Sequence, residues 1–78
     1  MNVIKNVTPM DDYVLLLEFS DGVRKKYDMK PFLNSAVYSP LKDMALFRSA
    51  HIIFDYTVGW NNGIDICPDC AYRDGILA

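Results

Sequence analysis

The sequence has little of what usually announces a chemistry. In 78 residues there are one histidine, two cysteines, one tryptophan, four glycines and four prolines. Two cysteines are too few for the disulfide framework of a small secreted scaffold. Nucleophilic catalysis needs a base beside an activated serine or cysteine, and no G-x-S-x-G or comparable frame is present. The lone His51 reads as a residue at the rim of a sheet. Gly22, Gly59, Gly63 and Gly75 stand apart, so no glycine-rich phosphate loop exists. No apolar run approaches the ~20 residues that span a bilayer, and the start, MNVIKNVTP, lacks a signal-peptide apolar core. The net charge of −2 gives no basic footprint. Direct nucleic-acid binding is therefore not expected. There is no repeat, linker or low-complexity tract. These exclusions leave one cytoplasmic, water-soluble domain over residues 1–78, with no membrane contact.

About half of the residues are hydrophobic (51%), enough for one small core. Asn2 to Thr8 alternates loosely and ends at Pro9. Tyr13, Leu15, Leu17 and Phe19 repeat at period two and predict one face of a strand. Val14 and Leu16 make the opposite face apolar as well, which predicts an interior strand with its second face covered by a helix, a loop or another chain. Asp21-Gly22 predicts a hairpin, and Val23 to Asp28 a return strand with Val23, Lys25 and Tyr27 sharing one face and Arg24, Lys26 and Asp28 the other, wet one. Met29 to Leu33 predicts a single turn with Phe32 and Leu33 inward. The main helix is expected from Ser39, with Ser39 as N-cap, Pro40 at its first position, Asp43 in its first turn, and an end near Ser49. His51 to Thr57 reads as one strand, with Ile52, Phe54 and Tyr56 sharing a face. Asn62-Gly63 predicts a type I′ turn before Ile64-Asp65-Ile66. Pro68 opens a short helical turn ending near Tyr72, and the residues after Arg73 read as a fraying terminus. The predicted class is α+β: a small, mostly antiparallel sheet, with three strands, one short helix, then two or three strands.

Cys67 and Cys70 form a C-x-x-C pair. A thioredoxin-like dithiol wants its first cysteine at a helix N-terminus in a βαβ setting, which this order of elements does not provide. A structural zinc site wants four ligands, and the chain offers only Cys67, Cys70 and His51 of the preferred types, unless a dimer pools two pairs. The simpler expectation is two small residues flanking a Pro-Asp turn, without metal or cofactor. Asp28 and Asp65 each close a strand beside apolar neighbours, and turn capping accounts for them better than paired-carboxylate chemistry. Trp60, beside the Asn-Asn-Gly turn, is expected to be half-buried and, with Tyr56, available to a partner.

The ordered set Asp12-Tyr13, Leu15, Leu17, Phe19, Asp21-Gly22, Asp28 and Pro31-Phe32-Leu33 resembles the domain of unknown function 2442 family. The second half continues it with Leu41, Phe47, Val58-x-Trp60-x-x-Gly63-x-Asp65-Ile66, Pro68-Asp69 and Tyr72. The resemblance implies a small bacterial α+β domain similar to the N-terminal domain of a nitrosomonad protein of unknown function. Some such domains carry a helix-turn-helix segment after the sheet, and none is expected within the residues up to Ala78. Others are encoded beside a second small protein in what looks like a toxin–antitoxin pair. Cys67 and Cys70 lie outside the family pattern, and the family supplies no catalytic residues.

Two expectations follow. The first is a non-enzymatic protein-interaction module, an antitoxin-like component of a two-protein bacterial system. It would bind a nearby-encoded toxin-like protein, or a second copy of itself, through Trp60, Tyr56, Val14 and Leu16. The alternative is a small ligand- or metal-binding domain using the rim near Asp28, Asp65, Cys67 and Cys70.

Overall fold

Alternating large apolar side chains fix the centre of the molecule. The computed structural model describes residues 2–78. Its first sheet begins as a meander of β1 (Ile4–Pro9), β2 (Val14–Phe19) and β3 (Arg24–Asp28). All neighbours are antiparallel, with Val7 opposite Leu17 and Leu15 opposite Tyr27, and β1 bulges between Ile4 and Asn6. Leu15, Leu17 and Phe19 point together into the core, where each is fully buried. Burying side chains of this size contributes roughly 1.5–3 kcal/mol each. Tyr13 lies outside the strand: its φ is 62°, and it sits in the loop before β2. Its ring still faces inward, edge-on to Phe47 at 5.2 Å.

Beyond β3 the chain leaves regular structure. A single turn at Lys30–Phe32 buries Leu33 and half-buries Phe32, as expected. The helix expected from Ser39 is divided. Ser39–Lys42 forms one tight turn, and Asp43 then takes an extended backbone and caps α1 (Met44–Phe47), with its side chain accepting from Ala45 N. Ser39 caps nothing. The Asp43 carboxylate offers a stronger N-cap four residues on, so the helix starts again there. Leu41 and Phe47, from the two pieces, are both fully buried.

The stretch His51 to Thr57 is a hairpin, not one strand. β4 (His51–Ile53) turns back into β5 (Thr57–Gly59), with Ile52 opposite Val58. Phe54 and Asp55 carry the reversal at φ 55° and 63°. No glycine, proline or asparagine marks it, so the period-two pattern ran straight through the turn. Ile64-Asp65-Ile66 adds one bridge, Asp65 opposite Gly59. The Asn62-Gly63 turn also differs from expectation. Gly63 has φ 87°, but Asn62 is not left-handed. Gly63 N donates to Trp60 O, and Trp60 N donates to Ile64 O. That is a three-residue loop with a glycine bulge, the arrangement also found at Asp21-Gly22.

The helix α2 (Pro68–Asp74) runs two residues past the expected end, and Gly75 leads into β6 (Ile76–Leu77). These last residues do not fray. Ile76 pairs with Lys26 and Leu77 with Lys25, completing the order β1-β2-β3-β6. The class is α+β and mostly antiparallel, as predicted, but β4 and β5 form a second, two-stranded sheet. One cluster, from Ile4 through Leu15, Leu17, Phe47, Val58 and Trp60 to Ala71, joins both.

Candidate functional site

The first sheet has a filled face and an open one. Register places Thr8, Leu16, Lys26 and Ile76 in one cross-strand row on the side away from the core. Val14 and Asp28 lie in the next row, and Glu18 opposes Arg24 on the other side. Val14 and Leu16 are half-buried, as a doubly apolar strand requires, while Ile76 is 74% exposed. α1, α2 and the second sheet all supply residues to the core on the opposite face. The open face is therefore a short apolar centre with charges of both signs around it: Lys26 and Arg24 on β3, Glu18 on β2, Asp28 at the end.

Trp60 does not belong to that surface. It is only 3% exposed, its ring lies against Phe47, and its Nε1 donates to Phe47 O at 3.0 Å. The neighbouring polar turn suggested a half-exposed ring, but the ring packs in the core and its indole N–H joins Ala50 N in donating to Phe47 O at the end of α1. Tyr56 is half-buried on the β4–β5 hairpin, beside an exposed Phe54. It lies outside the row that holds Leu16. The four partner-contact candidates thus separate into Val14 and Leu16 on the open face, Tyr56 on the hairpin, and Trp60 in the core.

The residues that carry the family resemblance do architectural work. Asp21 Oδ1 accepts from Val23 N at 2.9 Å and its Oδ2 accepts from Tyr72 Oη at 2.8 Å, tying the first hairpin to α2. These bonds, the backbone one foremost, hold the Asp21 carboxyl below its ordinary value, and the side-chain bond to Asp21 raises the Tyr72 hydroxyl. Gly22 takes φ 88°, which L side chains rarely adopt. Asp28 Oδ1 accepts from Lys30 N at 2.9 Å and starts the turn that follows. The Asp65 carbonyl accepts from Tyr38 Oη at 3.0 Å. Pro68 occupies the first turn of α2.

Away from the open face lies a cleft of about 200 Å³ walled by Tyr27, Phe32, Tyr38 and Ile66, with Cys67, Cys70 and the Arg73–Asp74 pair around it. Cys67 is exposed and is the N-cap of α2, and its Sγ accepts from Cys70 N at 3.2 Å. Hydrogen bonds from the Cys70 side chain and then its backbone lower the Cys67 thiol, and the same side-chain bond raises Cys70. Burial, followed by the Asp74 charge, pushes Tyr27 up to about 12. Arg73 is held by Asp74 through two bonds of 2.9 Å. The rim imagined from sequence is not one site. Cys67 and Cys70 share this cleft, Asp28 borders a neighbouring one, and Asp65 borders neither. Among the described residues no three of His, Cys, Asp or Glu come together to hold a metal ion. No helix of the described residues is long and apolar enough to cross a membrane.

Sequence reasoning missed Ile76, Leu77 and Phe54 as exposed apolar side chains. The first two sit in a terminus too short to show a period, and the third was counted as a strand residue. It also missed the cleft, whose walls come from four separate segments.

The model of a protein family described as "Protein of unknown function (DUF2442)" matches residues 4–75. No curated protein and no solved structure matches the chain.

Proposed function

The chain belongs to the DUF2442 family, and from that premise we propose that it is a non-enzymatic protein-interaction module, the antitoxin-like component of a two-protein bacterial system in the cytoplasm. The observation that carries the reading is the open face of the four-stranded sheet. A two-layer domain normally buries the apolar side of its sheet, yet here Val14 and Leu16 are only half-buried and Ile76 is exposed on the far side. Lys26 and Arg24 beside Glu18 and Asp28 supply charges of both signs around them, suited to another folded protein surface and not to a polyanion. The partner is the small protein encoded beside this chain. With that partner absent, a second copy takes its place.

The test is co-purification from the native operon, comparing the wild type with Leu16→Lys. The neighbouring gene's product should be retained by the wild type and lost with Leu16→Lys, while both remain folded by circular dichroism. Equal retention by both, or retention by neither, contradicts the reading.

A further inference from the structure

Cys67 and Cys70 stand outside the open sheet face. Their surroundings, however, are those of a reacting pair. Both line the same cleft, one turn apart on the start of α2. Cys67 is exposed, and its sulfur already accepts a hydrogen bond from Cys70 N. The cleft beside them has about 200 Å³ and aromatic and aliphatic walls in Tyr27, Phe32, Tyr38 and Ile66. Such a space takes the body of a small molecule while leaving its reactive atom against the thiols.

We infer that Cys67 and Cys70 form a thiol–disulfide exchange site for a small-molecule disulfide seated in this cleft. The Cys67 thiolate attacks one sulfur of the disulfide R–S–S–R. The S–S bond breaks, one R–S⁻ leaves and takes a proton from solvent, and a mixed disulfide remains on Cys67. Cys70 then loses its proton to solvent and its thiolate attacks the Cys67 sulfur, expelling the second R–S⁻. The two cysteines are oxidised by two electrons to one intramolecular disulfide, and the disulfide substrate is reduced to two thiols. Cys67 is the attacking group because it is the exposed one and its thiolate is favoured by the Cys70 hydrogen bonds. Cys70, with its thiol raised, stays protonated until the mixed disulfide brings it a target. The inference is independent of the proposed partner binding, which uses the other side of the sheet.

The experiment treats the whole chain with oxidised glutathione, or with an uncharged aromatic disulfide. It is quenched with acid, the remaining thiols are alkylated, and intact mass is read. The wild type should lose both alkylatable thiols without keeping an adduct. Cys70→Ser should trap one adduct on Cys67, and Cys67→Ser should form an adduct at least roughly tenfold more slowly. On Cys70→Ser the ratio of the aromatic disulfide's rate to glutathione's should exceed the same ratio on a free cysteine peptide roughly tenfold if the apolar walls seat it, since that comparison cancels the better leaving group. Equal ratios on the protein and the peptide place the reaction at the thiols without the cleft and overturn the assignment of the seat. A wild type that keeps both thiols, that accumulates a stable adduct, or whose two single variants react equally overturns the site. Melting curves of both serine variants confirm that each is folded under the assay conditions.

Discussion

Residues 4–28 and residues 29–66 are held together by different means. In the first region backbone meets backbone: β1, β2 and β3 form long ladders with one bulge in β1, and side chains serve the backbone chiefly at the turns, through Asp21 and Asp28. In the second, side chains serve the backbone. Trp60 Nε1 donates to Phe47 O, Thr57 Oγ1 to Ile66 O, and Tyr38 Oη to Asp65 O. Short elements leave many carbonyls without a ladder, and a buried carbonyl must find a donor somewhere. The second region therefore rests on a few particular side chains, and deleting one removes both packing and a backbone partner.

The comparison breaks most visibly at Trp60. Trp60→Ala should destabilise by about 3–5 kcal/mol, because it empties a core position and removes the shorter of the two hydrogen bonds that Phe47 O accepts. Urea denaturation measures the loss. A cost near that of an exposed substitution would show that the second region is not held this way.

The next effect sharpens what the two regions share. Gly22 and Gly63 sit in the same kind of bulged loop at φ 88° and 87°, and a Cβ added at either meets no neighbour. Gly22→Val and Gly63→Val should each cost about 1–3 kcal/mol from backbone strain alone, in similar amounts. Thermal melts of the two variants check it. A cost at only one of them would mean that the two loops differ in conformation.

A smaller effect of opposite sign belongs to the β4–β5 reversal. Asp55 holds φ 63° without being glycine. Asp55→Gly relieves that strain and returns part of the gain as unfolded-state entropy, so stability should rise by about 0.5 kcal/mol. A fall in melting temperature would contradict the strain.

The last effect is pH dependence in the first region. The Asp21 carboxyl is held below its ordinary value of 3.8 by Val23 N and Tyr72 Oη. A depressed folded value means that its stabilisation is complete above that ordinary value and is lost as pH falls through the lower folded one. Asp21→Asn should therefore be less stable than the wild type near neutrality, with the gap closing in acid. Melts from neutral pH down through the carboxylate range follow it.

These same two regions explain what was legible in the sequence. Leu15, Leu17 and Phe19 alternate, and Asp21-Gly22 punctuates them, so strand, turn and core could all be read locally. In the second region Phe54 and Asp55 reverse the chain with no glycine, proline or asparagine to mark the turn, and Asp43 divides a helix whose apolar spacing runs through it. Trp60 is buried against Phe47, whose carbonyl accepts its N–H, a contact created only by tertiary structure. The open-face residues Val14 and Leu16 were visible because both lie in a regular strand. Ile76 was not, because two paired residues carry no period. The C-x-x-C spacing was plain, but its cleft is assembled from Tyr27, Phe32, Tyr38 and Ile66, which are distant in sequence and carry no motif.

The central functional claim is that the open face around Leu16 docks a protein, and light scattering tests it most directly. At high micromolar concentration the wild type alone should have a mass above that of one chain, and Leu16→Lys should scatter as a monomer with an unchanged circular dichroism spectrum. A wild type that is monomeric, both alone and mixed with the neighbouring gene's product, would contradict it.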